Sequence, residues 1–292
     1  MSTTIRNIWE KNWPEIHAAF RGGIPSFVMS PRPQNLGSNV PVFCYHLVSS
    51  RDFEIDLDFL VRNGYTTIDA DELLNHFTGS RPAPEGSVVL SFDDGTTSVY
   101  TVAYPLLKKY GLKAVLFVAP RFHSLKAGDG ARRLLTWDEL AELQGSGLFD
   151  VQSHTLEHRY VPRWPEFVPL AGVSFEDVST QLSASLSMKE DFAAAKQILE
   201  RRLKKPIEHM AFPKFFGTEE ALRIGQECGY KTFWWGTLPH RSGNRPGDSP
   251  LQVVRLEAQF LRRLPGRNRQ SLASVLAGRY LKSAHRLWQK IS

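Results

Sequence analysis

Residues 88–95 read Val-Val-Leu-Ser-Phe-Asp-Asp-Gly. A short apolar run ends in two adjacent carboxylates, Asp93 and Asp94, and then in a glycine. Continuous apolar runs of this length are typical of strands that are buried on both faces, as in parallel sheets. The pattern predicts a buried strand that reaches the surface at Asp93. A turn before Gly95 would let one carboxylate bind a metal while the other faces a nearby water.

A second polar motif follows about sixty residues later. Residues 154–158 read His-Thr-Leu-Glu-His, so two imidazoles stand four positions apart. Two histidines and one carboxylate make a three-ligand site with an open position, which suits a divalent metal such as zinc. The remaining carboxylate can act as a base. Together the two motifs predict a metal-dependent hydrolase.

The rest of the chain alternates strand and helix patterns from residue 40 onward. Strands are predicted at 40–45, 65–68, 88–92, 114–118, 151–153, 209–213 and 232–235. Helices are predicted at 53–63, 70–77, 99–110, 137–144, 188–203 and 219–227. This alternation indicates an α/β protein with a parallel sheet, closed or nearly closed into a barrel. Active groups of such barrels lie at the carboxyl ends of strands, where His46, Asp93, His154 and Pro213 fall.

The composition is that of a globular protein, with 292 residues, 42% of them hydrophobic and 23% charged. The net charge of +6 is unevenly placed, because no acidic residue follows Glu257 while eight arginines and lysines do. Residues 270–291 predict a basic amphipathic helix. Three interpretations of it stay open: packing on the barrel, contact with an anionic membrane surface, and nucleic-acid binding. No nucleic-acid-binding motif supports the third interpretation, and no nucleic-acid partner is expected.

The first 20 residues include Glu10 and Glu15 and lack the continuous apolar region of a secretory signal. No segment approaches the ~20 apolar residues of a membrane-spanning helix. The two cysteines, Cys44 and Cys228, lie far apart and favour a reducing compartment. A cytoplasmic protein, peripheral at the inner membrane face, is expected.

Both motifs resemble those of the polysaccharide deacetylase family of carbohydrate esterases, also called the NodB-homology domain. Residues 91–95 match the first motif of the family, and residues 154–158 match its second, His-[Ser/Thr]-x-x-His. The resemblance implies a distorted (β/α)7-type barrel, here with helical terminal extensions, that removes N-acetyl groups from sugars. It also implies that Asp93 is the base. The implied metal ligands are Asp94, His154 and His158, and the implied ion is Zn²⁺, with Co²⁺ or Ni²⁺ as alternatives.

Residues 41–48 and 63–68 are similar to a permuted branch of that family, which includes poly-N-acetylglucosamine deacetylases of biofilms. In this branch an early Tyr-His pair supplies the general acid, and His46 matches it. Unpermuted members use a late Leu-x-His sequence, so His240 is the rival candidate.

The resemblance covers about residues 40–256. It divides the chain into an accessory segment and linker at 1–38, a deacetylase-like catalytic domain at 39–260, and a basic C-terminal helix at 261–292.

The third motif of the family is matched only in part. Residues 210–217 read Met-Ala-Phe-Pro-Lys-Phe-Phe-Gly, in which the spacing from proline to glycine is longer than in the family. The arginine that orients the base in many members is expected to be absent. A backbone N–H after Pro213, at Lys214 or Phe215, is the expected oxyanion donor. Trp235 has two interpretations, a platform for a sugar ring and a buried strand residue.

The sequence thus predicts a metal-dependent N-deacetylase acting on an amino sugar in a glycan or a lipid-linked glycan. Two alternatives remain. Deformylation of a lipid-linked amino sugar would use the same metal residues, and a catalytically inactive carbohydrate-binding domain is compatible with the divergent third motif.

Overall fold

The computed structural model describes residues 17, 20–123, 134–171, 182 and 186–278. Within them the strands are β1 (Val42–Tyr45), β2 (Thr66–Thr67), β3 (Ser87–Phe92), β4 (Ala114–Val118), β5 (Phe149–Ser153), β6 (His209–Ala211), β7 (Thr232–Trp234) and β8 (Leu256–Glu257). The α-helices are α1 (Ser26–Met29), α2 (Ser50–Arg62), α3 (Ala70–Thr78), α4 (Tyr104–Tyr110), α5 (Trp137–Gly145), α6 (Met188–Leu203) and α7 (Glu219–Glu227). The strand and helix alternation predicted from the sequence is confirmed. One predicted helix differs, because 99–110 begins as a π-helical segment, Val99–Ala103, before α4.

The sheet has the order β7-β6-β5-β4-β3-β1-β8, and every neighbouring pair is parallel. β2 pairs with β3 outside this path. The segment 253–257 contacts both ends of the sheet, because Val253 bridges to Trp234 of β7 while Leu256 and Glu257 pair with β1. The sheet is therefore curled into the distorted (β/α) barrel that was predicted.

Hydrophobic burial on both faces of the sheet explains the uninterrupted apolar strands. β3 and β4 are buried along their whole length. Side chains such as Val89, Val115 and Trp234 fill the barrel interior. Leu90, Leu116 and Val151 face outward and pack under the helices. Alternate residues of one strand thus pack into two different cores, which fixes the register of the strand. Because neighbouring strands are parallel, their carboxyl ends lie at the same rim of the barrel.

Capping residues define where the outer helices begin. α3, α5 and α6 each start with a capping box, in which an N-cap side chain and a glutamate exchange hydrogen bonds with the backbone. The predicted N-cap at Thr136 is confirmed. The box at the start of α6, Ser187 with Glu190, fixes the first turn of a helix that lies close to the predicted site.

Some of the C-terminal arginines form hydrogen bonds or ion pairs within the fold. Arg263 and Arg269 donate to the backbone carbonyls of Phe27, Val28, Ser30 and Pro31. Arg262 lies 3.2 Å from Asp56. Of the predicted helix 270–291, residues 272–278 are helical, and 279–292 lie outside the described residues, as do 1–16, 18 and 19 of the accessory segment. In the described ranges no helix is both long and apolar enough to cross a membrane.

Candidate active site

The turn that follows β3 brings the two aspartates to the same side of the chain. Asp94 has φ 72° and Gly95 has φ 66°, so the backbone reverses there as predicted. A Cβ on Gly95 would lie 2.7 Å from the His123 ring and 2.8 Å from Val118, which leaves room for glycine alone. Asp93 and Asp94 are 1% and 2% exposed, so the turn buries both carboxylates.

The two histidines of the second motif present the same ring nitrogen to the site. Nδ1 of His154 lies 2.8 Å from the carbonyl of Ala211, and Nδ1 of His158 lies 2.7 Å from the carbonyl of Val168. A nitrogen that faces a carbonyl carries the proton, so each Nε2 offers a lone pair. Burial, against the opposing effect of Asp93, lowers the pKa of His154 to about 4 and keeps the ring neutral.

These lone pairs converge on one carboxylate oxygen. Oδ1 of Asp94 lies 3.3 Å from Nε2 of His158 and 3.7 Å from Nε2 of His154. It is buried and has no hydrogen-bond partner among the residues that the structure describes, whereas Oδ2 of the same residue accepts the Ala171 N–H at 2.7 Å. Three acceptors that face each other in this way form a group that could hold a cation. Two imidazole nitrogens and one carboxylate oxygen fit Zn²⁺, Co²⁺ or Ni²⁺.

Asp93 is held by an arginine that the sequence analysis missed. Nη1 of Arg255 donates to Oδ1 of Asp93 at 2.7 Å, and Nε of Arg255 donates to the Trp235 carbonyl at 3.0 Å. The other oxygen of Asp93, Oδ2, lies 3.8 Å from Nε2 of His154, one of the three predicted metal ligands. Burial alone would raise the pKa of Asp93, but the Arg255 guanidinium, assisted by His154 and His46, outweighs burial and holds this pKa well below its usual value.

One local signal pointed to Arg255. Residues 253–256 read Val-Val-Arg-Leu, and a charged residue inside an apolar barrel segment must have a buried partner. That signal shows that a partner exists but does not say which residue it is. Asp93 is therefore paired with an arginine from the far end of the domain, outside the third motif.

His46 lies close to Asp93. It follows β1, is half-buried, and meets the Phe215 ring edge-on at 5.8 Å between centroids. Donor atoms of Cys44, His46 and Asp93 all lie within 4.8 Å of one another. This trio does not favour a second metal, because the Arg255 guanidinium already contacts both Cys44 (3.5 Å) and Asp93. Burial and the nearby Asp93 carboxylate also raise the pKa of the Cys44 thiol.

The divergent third motif still reaches the site. Residues Pro213–Phe215 form a 3₁₀ turn after β6, with φ 54° at Lys214 and φ 70° at Phe215. The Phe215 N–H donates to the Phe212 carbonyl at 3.0 Å, which leaves the Lys214 N–H as the remaining candidate for the oxyanion donor. The Phe215 ring lies 4.9 Å from the Arg255 guanidinium, and the Lys214 ammonium lies 5.1 Å from the Tyr160 ring.

Two predicted site residues lie elsewhere. His240 is exposed on a surface loop, where its N–H donates to the Arg21 carbonyl at 3.1 Å, and no recorded contact of the described residues joins it to Asp93. Trp235 is 8% exposed, packs edge-on against Phe212 at 5.0 Å and donates to the Leu251 carbonyl. Its ring belongs to the core, so the sugar-platform interpretation is not supported.

A cavity of about 320 Å³ lies at the opposite end of the barrel, among the amino ends of β4, β5 and β6. Its charged side chains pair with one another: Lys113 with Asp69, Lys205 with Asp150, and His209 with Asp71. These ion pairs lie at the end of the barrel away from Asp93.

The chain is similar to known polysaccharide deacetylases. The family model for polysaccharide deacetylases matches residues 80–233, more than half of the chain. The Bacillus subtilis protein YxkH is 26% identical over 202 residues, covering 66% of this chain and 63% of YxkH. The poly-beta-1,6-N-acetyl-D-glucosamine N-deacetylase of Staphylococcus aureus is 25% identical over 191 residues, covering 63% of this chain and 59% of the relative. The chain therefore spans about three fifths of the length of these relatives. Among solved structures, IcaB from Ammonifex degensii superimposes with a TM-score of 0.60 and 28% identity, over 75% of this chain and 91% of that chain.

Proposed function

Because the chain belongs to the polysaccharide deacetylase family, we propose that it is a metal-dependent hydrolase that removes N-acetyl groups from an amino sugar of a glycan or lipid-linked glycan. The observation that carries the proposal is the convergence of three acceptor side chains, Asp94, His154 and His158, beside the held carboxylate of Asp93.

Asp94, His154 and His158 are the residues that would hold the metal. When bound, a divalent ion there supplies a Lewis acid that polarises the acetyl carbonyl and lowers the pKa of water. The protein's own contribution is the orientation of the ligands. The carbonyls of Ala211 and Val168 fix both imidazole rings, and the Ala171 N–H fixes the Asp94 carboxylate.

Asp93 is the proposed base. Arg255 occupies its Oδ1, so Oδ2 alone faces the ligands and can accept a proton from water. The depressed pKa keeps this carboxylate ionised across the neutral range, so its proton-accepting form is always present.

His46 is the proposed acid. Water oxygen bonds to the acetyl carbon, the carbon–nitrogen bond breaks, and the departing amine takes a proton from the imidazolium of His46. The products are acetate and a free amino sugar. The Lys214 N–H is the proposed donor to the oxyanion that forms at the carbonyl oxygen.

Product analysis tests the identity of the acyl group. The zinc-loaded protein is incubated with glucosamine oligosaccharides that carry either N-acetyl or N-formyl groups, and released acetate and formate are quantified. We expect acetate release to dominate. Formate release alone would replace this proposal with deformylation, and release of neither acid would favour the inactive carbohydrate-binding alternative.

Location is a separate part of the proposal: a cytoplasmic protein that is peripheral at an anionic membrane surface. The support is the composition of the C-terminal segment, which has no acidic residue after Glu257 and includes the basic residues Arg267, Arg279, Lys282, Arg286 and Lys290. Each such cation near anionic lipid contributes about 1 kcal/mol at low salt. Pelleting with phosphatidylserine vesicles should be lost on truncation after Gly278, and unchanged pelleting would contradict this part.

A further inference from the structure

Asp191, in the first turn of α6, accepts hydrogen bonds from the backbone of the loop that carries the two histidines. Its Oδ1 accepts the N–H of Leu156 at 2.8 Å, and its Oδ2 accepts the N–H of Glu157 at 3.1 Å. The side chain is fully buried, and both of its oxygens are used. Each oxygen of this buried side chain accepts one backbone N–H, so the contact fixes two consecutive peptide groups.

Those two peptide groups lie between the proposed metal ligands. The residues that flank them have left-handed backbones, with φ 62° at Thr155 and φ 52° at His158. Such conformations cost of order 1 kcal/mol or more for non-glycine residues and persist only when surrounding contacts impose them. The Thr155 hydroxyl accepts the His158 N–H at 3.1 Å, which closes the loop from inside while Asp191 holds it from outside.

The charges beneath the loop are balanced. Glu157 is also fully buried and pairs with Arg159 at 2.7 Å and with Arg121 at 3.1 Å. Two carboxylates and two guanidiniums therefore share this region, which limits the cost of ionising Asp191 in the interior.

The hydrogen bonds of Asp191 to the Leu156 and Glu157 amides form a clamp on the loop. This clamp is attached to a rigid element, α6. The capping box of Ser187 and Glu190 fixes the start of α6, and Phe192 on the next turn is fully buried. The Tyr230 hydroxyl hydrogen-bonds the Phe192 carbonyl and the Ser153 hydroxyl, both at 3.0 Å. Tyr230 thus ties α6 to β5 without touching the amides of Leu156 or Glu157.

We propose that Asp191 is a positioning residue that sets the separation of the His154 and His158 imidazoles for metal binding. The inference rests on the metal site of the proposed function. Without the clamp the strained loop relaxes and the two Nε2 atoms no longer face Asp94 together. Loss of a residue that orients metal ligands typically weakens metal affinity 10- to 100-fold.

The test is a Co²⁺ titration of the metal-free full chain, followed by the visible absorbance of the bound ion, together with thermal unfolding. Asp191→Asn keeps the shape but turns an NH₂ group toward a backbone N–H. We expect its Co²⁺ affinity to fall 10- to 100-fold. The matched control, Tyr230→Phe, loosens the same helix and should lower the melting temperature while changing affinity less than about threefold. Asp191→Glu, which keeps the charge and displaces the amides, is a second variant in case the asparagine chain does not fold, and it should also weaken binding.

Wild-type affinity in the folded Asp191 variants would overturn the inference and leave the metal site intact. An equal loss in Tyr230→Phe would also overturn it, because general loosening of α6 would then explain the effect. A wild-type protein that gives no Co²⁺ spectrum would overturn the proposed metal site itself, and the clamp with it.

Discussion

The guanidinium of Arg255 lies 2.7 Å from the carboxylate of Asp93, although 162 residues separate them in the chain. Arg255 belongs to the segment 253–257 that contacts both ends of the sheet. The segment that closes the barrel therefore also orients Asp93, the proposed base. An error at this closure would leave Asp93 buried without its cation, which is costly in a low-dielectric interior.

Replacing Arg255 by methionine should lower kcat/KM by about two orders of magnitude, because the base then loses its fixed orientation. Removal of the cation raises the pKa of Asp93, since the remaining burial favours the neutral acid. The acidic limb of the pH–rate profile should therefore move to higher pH. Arg255→Lys, which keeps the charge, should move it less. An unchanged profile in both variants would show that Arg255 does not act on the base.

Replacing His46 by glutamine should reduce kcat by 10²- to 10⁴-fold, the usual range for loss of a general acid. His240→Gln is the matched control, because this exposed residue has no recorded contact with Asp93. Steady-state kinetics of both variants decides between the two histidines. Full activity in His46→Gln with loss in His240→Gln would reverse the assignment.

Metal removal should destabilise the protein, because the ligands converge only in the folded chain. A metal present at a thousand times its dissociation constant stabilises the folded state by about 4 kcal/mol. Chelation should lower the melting temperature, and Zn²⁺ should restore it. In His158→Ala, Zn²⁺ should produce a much smaller shift, as followed by circular dichroism. A Zn²⁺ response equal to that of the wild type would remove His158 from the ligand set.

Asp191 should make the stability of the metal-free protein depend on pH. Burial raises its pKa to about 7, against an unfolded value of about 3.9. The folded state then holds more protons than the unfolded state between these values, so the free energy of unfolding falls as pH rises from about 4 to 7, by roughly 4 kcal/mol. Urea unfolding at several pH values should show this decline in the wild type and a smaller one in Asp191→Asn. Parallel curves for the two proteins would contradict it.

Local patterns were sufficient for most of the fold. The apolar run that ends at Phe92 predicted β3, the predicted helix at 188–203 coincides with α6, and the glycine after Asp94 predicted the turn between the carboxylates. In each case a residue's environment follows from its near neighbours in sequence.

Long-range pairings could not be obtained this way. Arg255 approaches Asp93 only because β8 pairs with β1, and Asp191 meets the His154–His158 loop only because α6 packs on β5. The sequence around Trp235 was equally compatible with an exposed and with a buried ring. The Trp235 ring packs against Phe212, and hydrophobic periodicity and composition do not encode this tertiary contact.

Metal-dependent deacetylation with Asp93 as base is tested by measuring acetate release from N-acetylglucosamine oligosaccharides. The proteins compared are the wild type, Asp93→Asn and an Asp58→Asn control on the surface of α2. We predict that the wild type and the control release acetate only when Zn²⁺ or Co²⁺ is bound. Asp93→Asn, with equal metal content and an intact fold, should be slower by 10² or more. Equal acetate release by Asp93→Asn, or undiminished release after complete metal removal, would contradict the proposed metal-dependent mechanism with Asp93 as base.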